Sequence, residues 1–202
     1  RKGVPVRFLG HRDLVNTILR ALVAAGVALE YSQGYTPHPR VSFGPPLPLG
    51  AVGEQEQFDC ITYRATPLDP QAVQQYLPRG LVIDRIDRLS GKPVSLNAAV
   101  TASVYRLRLP SSVTAAQARA AVQAALDAQD IEVEVVRKGI VRRRDIRPML
   151  ASLDIDDSEP LTVIARLRVH NQASCSPRDL LAVLFPEHPF ELFGVTRIAL
   201  EQ

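Results

Sequence analysis

The chain has 202 residues, 46% apolar and 22% charged, with a formal net charge of +3. That length buries a core in one large domain or two small ones, and the charged fraction is ordinary for a soluble protein. No segment approaches the roughly 20 apolar residues that cross a bilayer, no basic-then-apolar leader opens the chain, and two distant cysteines, Cys60 and Cys175, fit a reducing cytoplasm rather than a disulfide framework.

In chain order, Val4, Val6 and Phe8 alternate, so the first stretch reads as a strand. HRDLVNTILRALVAAG follows as an amphipathic helix, with Leu14, Ile18 and Leu22 four residues apart and Gly26 closing it. VALEYS reads as a second strand, EQFDCITYR (56–64) as a third and LVIDRIDRL (81–89) as a fourth. Between the last two, Asp69 and Pro70 open a helix. SGKPVSLNAAVTAS, 90–103, reads as a connector.

The second half repeats the order. VYRLRL (104–109) alternates as a strand, and Thr114 with Gln117 forms a capping box for an Ala-rich helix to Ala128. IEVEVVRKG (131–139) and LTVIARLRVH (161–170) are strands. Ser176, Pro177 and Asp179 open a helix to about Phe185, and GVTRIAL (194–200) closes the chain as a strand. Two β-α-β-β-α-β runs predict an α+β fold of tandem ferredoxin-like sandwiches, each an antiparallel sheet with helices on one face. The predicted domains are 1–92 and 93–202.

Two features carry candidate chemistry. YSQGYTPHPRVSFGPPLPLG, 31–50, holds five prolines and three glycines, so it is stiff and shaped, with little entropy left to lose on binding. Such a loop holds polar and aromatic groups in a fixed array. Tyr31 and Tyr35 suit base stacking, Gln33 hydrogen bonding, Arg40 bidentate phosphate pairing, and His38 proton transfer or phosphate contact. The plainer alternative is a rigid loop packed on its own sheet, with Tyr31 and Phe43 as core anchors. His11 sits just after the first predicted strand, which leaves the sheet at the same end as the strand before the loop, and this makes His11 and His38 a candidate acid–base pair. His11 is equally a helix-start group, and His170 and His188 show no ligand spacing.

The other feature is charge segregation. RKGIVRRRDIR, 137–147, carries six basic residues against one Asp, and DIDDSE, 154–159, carries four acids. Arg137, Lys138, Arg142, Arg143, Arg144 and Arg147 form a candidate phosphate-binding edge, the alternative being a solvated hairpin balanced by Asp154, Asp156 and Asp157. Asp145 is placed to fix Arg147 or cap the turn before Pro148. The sequence lacks a phosphate loop with Lys, GxGxxG, CxxC, HExxH and GxSxG, and its scattered acids form no metal set, so no cofactor or metal is expected.

The long motif, with RFLGHRDL before it and EQFDC after it, closely resembles the signature of the radical-SAM-linked protein family, a domain of unknown function. DIRPML and LTVIARLRV resemble that family's second half. Gly10 and Arg12 depart from its usual residues, outside the motif. The resemblance implies radical SAM proteins or an E/G-type ribonuclease as partners, and hence RNA modification or processing; this chain has no radical SAM cysteine motif, so such chemistry would belong to the partner. A weaker, fold-level resemblance is to the tandem ferredoxin-like endoribonucleases that process CRISPR repeats. The expectation is therefore a cytoplasmic RNA-binding accessory module that presents tRNA or rRNA to such a partner. The alternatives are a metal-independent endoribonuclease using His11 and His38, and a protein-interaction domain that docks a radical SAM protein.

Overall fold

The computed structural model describes residues 1–63, 68–89, 95–137, 139–170 and 173–202. The chain is α+β and divides into two compact units, Arg1–Val100 and Thr101–Gln202. The expected boundary between residues 92 and 93 lies outside the described residues. Among the described residues, no helix is long and apolar enough to cross a membrane.

The first unit contains helix α1 (His11–Ala24), strands β1 (Val41–Phe43), β2 (Val52–Gly53) and β3 (Phe58–Cys60), and short helices α2 (Pro70–Gln74) and α3 (Leu96–Ala99). α1 forms because its apolar residues fall on one face, and it buries Ala21 and Leu22 against Leu29 and Val73. Asp69 caps α2 by accepting from the Gln71 N–H, with Pro70 at the first helical position.

Two predicted strands of this unit are absent. Val4–Val6 is a 3-10 turn, because Pro5 lacks an N–H and its ring fixes φ near the helical value. Residues 81–89 form no strand beyond a bridge at Leu81. There the Gln74 amide takes the ladder's place, with Nε2 donating to the Leu81 carbonyl (2.9 Å) and Oε1 accepting from the Ile83 N–H (3.0 Å). The predicted strand at VALEYS is reduced to single bridges at Leu29 and Tyr31.

The second unit contains β4 (Ala102–Arg108), α4 (Ala115–Asp127), β5 (Glu132–Arg137), β6 (Ile140–Asp145), β7 (Leu150–Asp156), β8 (Thr162–Arg168), α5 (Pro177–Leu184) and β9 (Gly194–Glu201). Four of these strands pair antiparallel in the order β9-β4-β8-β7. Inward positions alternate along β4 and β8, and Leu107, Val163 and Ala165 are fully buried. The predicted capping box of Thr114 and Gln117 is present and opens α4, which packs on β7 and α5.

The second sheet strand of this unit differs from the prediction. Residues 131–139 alternate as a strand should, but β5 pairs only with β6, in a two-stranded hairpin that follows α4 and precedes β7 in the chain. The sheet position goes to β7, whose sequence LASLDID buries Leu150 and Leu153. Both segments alternate; β7 has the larger apolar side chains to bury, and β5 carries glutamates on its outer face.

Cys175 is buried, and burial, with Asp179 nearby, pushes its thiol up to about 12. A short iodoacetamide pulse at pH 8 is expected to leave the Cys175 peptide unmodified in the native protein and to label it fully in guanidinium. Equal labelling in both states would refute the burial.

Candidate functional site

The signature segment splits into two parts. Residues 28–30 and 40–43 run antiparallel to one partner stretch, 58–63. Glu30 N–H donates to the Ile61 carbonyl (2.8 Å), Tyr63 N–H to Ala28 (3.0 Å), Ile61 N–H to Arg40 (3.0 Å), and β1 pairs with β3 from Val41↔Cys60 to Phe43↔Phe58. The chain therefore leaves a strand at Tyr31 and re-enters it at Arg40, and the residues between form a closed excursion. Its neck is closed by an antiparallel bridge between Tyr31 and Pro39, made of two backbone bonds: Ser32 N–H donates to the His38 carbonyl (2.8 Å), and Arg40 N–H donates to the Glu30 carbonyl (2.8 Å). The Ser32 hydroxyl also accepts from the His38 N–H (3.0 Å), and the Arg40 guanidinium pairs with the Glu30 carboxylate.

Above that neck, Gln33, Gly34, Tyr35, Thr36 and Pro37 are all exposed. Gly34 has φ +130°, a conformation that L side chains rarely adopt, which is why a glycine turns the chain there. Tyr35 is 110% exposed, so its ring touches nothing in its own fold. The Tyr35 ring is thus held outward above this bonded neck.

The second part of the segment is structural. Phe43 stacks on Phe58 with ring centroids 5.2 Å apart, and the His11 ring meets Phe43 edge-on at 6.0 Å. Gly50, at φ +87°, turns the chain so that its N–H donates to the Arg7 carbonyl (3.0 Å). The alternative of a segment packed on its own sheet thus describes residues 41–44, and residues 33–38 stand exposed.

The two histidines sit in different surroundings. His11 lies against an aromatic cluster at the start of α1, and His38 is exposed and held by its backbone at the neck. Among the described residues no group of three or more His, Cys, Asp or Glu is arranged to hold a metal.

The basic block forms β6 and the turn after it. Direct cross-strand pairs are Val133↔Arg144, Glu134↔Arg143 and Val135↔Arg142. Side chains alternate, so Arg142 and Arg144 share one face with Val133 and Val135, and Arg143 lies on the other with Glu132 and Glu134, 3.7 and 3.8 Å from their carboxylates. One face is net acidic, with two glutamates against one arginine, and the other is cationic. Arg142 is exposed, and Arg144 reaches the Ser174 carbonyl at 3.4 Å. Ile140 and Val141 stand exposed at the tip beside Gly139. The expected balance by the acidic run is not what forms: Asp157 pairs with Arg119, and Asp156 caps the Ser158 N–H. Arg137 ends β5, and Lys138 lies outside the described residues.

Arg147 is turned to the fold. Asp145 Oδ1 accepts from both the Ile131 and Arg147 N–H groups (2.8 and 2.9 Å), and the Arg147 guanidinium donates to the Leu126 and Ala128 carbonyls (2.7 and 3.0 Å) at the C-terminal end of α4. Sequence alone groups it with the phosphate-binding arginines; the signal that separates it is the DIRP context, where Asp145 fixes the backbone.

Residues 1–177 match the model of a family described as an uncharacterized protein conserved in bacteria, DUF2344. No curated protein matches the chain.

Proposed function

We propose that this chain, which belongs to the DUF2344 family of uncharacterized bacterial proteins, is an RNA-binding accessory module that presents structured RNA to a modifying or processing partner. The observation that carries this reading is the fully exposed Tyr35 ring, held above a neck closed by backbone bonds and the Arg40–Glu30 pair. A stacking platform that is rigid before binding loses little entropy when it meets a base. Gln33 and His38 flank it with hydrogen-bonding groups. The cationic face of the β5–β6 hairpin, with Arg142 and Arg144, supplies a second, phosphate-directed contact.

The accessory role and the nature of the partner, a radical SAM protein or an E/G-type ribonuclease, rest on the resemblance of the signature motif to radical-SAM-linked proteins. We also read the two units as related ferredoxin-like sandwiches in a cytoplasmic protein. The strand order β9-β4-β8-β7 with α4 and α5 supports this for the second unit; for the first the reading rests on the sequence pattern.

Fluorescence anisotropy of the full chain against tRNA and rRNA hairpins, over a range of salt, tests the proposal. Binding is expected at micromolar protein or below, falling steeply with salt. Tyr35→Ala is expected to weaken it about ten-fold, the size of one lost base stack. Arg142→Ala is expected to reduce the salt slope by about 1. Absence of salt-dependent binding at micromolar protein would sink the proposal.

A further inference from the structure

The face of α1 that carries Arg12, Asn16 and Arg20 at four-residue spacing is exposed, and neither arginine has an acidic partner among the described residues. At its C-terminal end this face meets a groove of about 390 Å³, lined by Leu19, Val23, Leu29, Tyr31 and Pro39, with Arg20 among its walls. Tyr31 and Pro39 are the bridged pair at the neck of the signature loop, so the groove lies directly below the platform that carries Tyr35.

From this we infer that the groove is a nucleobase site for single-stranded RNA, in which Tyr31 and the aliphatic walls take one base and Arg20 takes its phosphate. The inference rests on the RNA-binding reading above and adds where a strand runs and which kind of RNA segment it is. Three properties favour this occupant. The volume lies in the range of small-ligand sites. The walls offer an aromatic ring and apolar carbons but no carboxylate, and the nearest acid of the neck, Glu30, is already paired with Arg40. Arg12 stands about 12 Å from Arg20 along the helix axis, at 1.5 Å per residue, so the two meet different phosphates of one strand. A base in the groove, a strand following α1 and Tyr35 above the neck form one continuous track in the first unit.

The test compares two labelled chains of about eight nucleotides, one of ordinary RNA and one with the same sugar–phosphate backbone lacking bases, each titrated with the full-length protein. The base-bearing chain is expected to bind about a hundred-fold more tightly, about ten-fold from the stack on Tyr35 and about ten-fold from the groove. Val23→Trp fills the groove from an exposed helix position and is expected to cut that difference to about ten-fold while leaving the abasic affinity unchanged. Arg20→Ala is expected to weaken both chains and to lower the salt slope by about 1. Equal affinity of the unaltered protein for the two chains, with hairpin RNA still bound, overturns the groove assignment and leaves the RNA-binding reading standing. Loss of all RNA binding overturns both. If Val23→Trp leaves the base effect intact but abolishes binding of an apolar helical peptide, the groove belongs to a protein partner and the inference is overturned.

Discussion

Leu22→Ala is expected to destabilise the first unit by about 3 kcal/mol, because it empties the centre of the packing beneath α1. Leu22 is 1% exposed and packs with Ala21, Leu29 and Val73 in the cluster that seats the helix. Truncation removes three buried carbons and leaves a cavity that a rigid surrounding fills only in part, which costs about 2–5 kcal/mol for a buried leucine. Urea unfolding followed by tyrosine fluorescence reads the change, because four of the five tyrosines (Tyr31, Tyr35, Tyr63 and Tyr76) lie in this unit and the chain has no tryptophan. A loss under about 1 kcal/mol would show that α1 is not held by this packing. The helix carries Arg12 and Arg20 and forms one wall of the groove at the loop neck, so RNA affinity is expected to fall along with stability.

Arg147→Met is expected to cost about 2 kcal/mol in the second unit and to leave the salt slope of RNA binding unchanged. The guanidinium makes two charge-assisted bonds to carbonyls at the end of α4, where the helix dipole is negative, and Met retains the stem while removing both. Arg147→Lys is expected to recover part of the loss, since an ammonium reaches one carbonyl but cannot span two. Urea unfolding measures the stability, and anisotropy at several salt concentrations measures the slope. A fall in slope equal to that of Arg142→Ala would place Arg147 at the RNA instead of at the helix end.

These two residues show how unevenly a sequence reports its own structure. Leu22 is legible because a helix imposes a 3.6-residue period, and four-residue spacing of Leu14, Ile18 and Leu22 has no other economical explanation. Arg147 is not legible, since a run of arginines looks the same whether a guanidinium faces solvent or a helix terminus. Likewise Arg40 reads as a phosphate ligand in sequence, and the fold pairs it with Glu30 at the neck. Such partners are ten or twenty residues away along the chain and come together only when the backbone folds.

The sequence by itself determined the α+β class, the helices that begin at His11, Ala115 and Pro177, and the stiffness of the 31–50 segment, because periodicity, capping and proline geometry act over a few neighbouring residues. Only the tertiary structure decided which alternating segment enters the sheet. Residues 132–137 and 150–156 have the same period, and the choice of β7 over β5 depends on long-range burial against β8 and α4. It also decided that part of the signature motif is an exposed loop and part a packed strand. Local chemistry makes a proline-rich segment rigid, but whether a rigid tyrosine points to solvent or to a neighbour is fixed by the strand from which the loop departs and to which it returns.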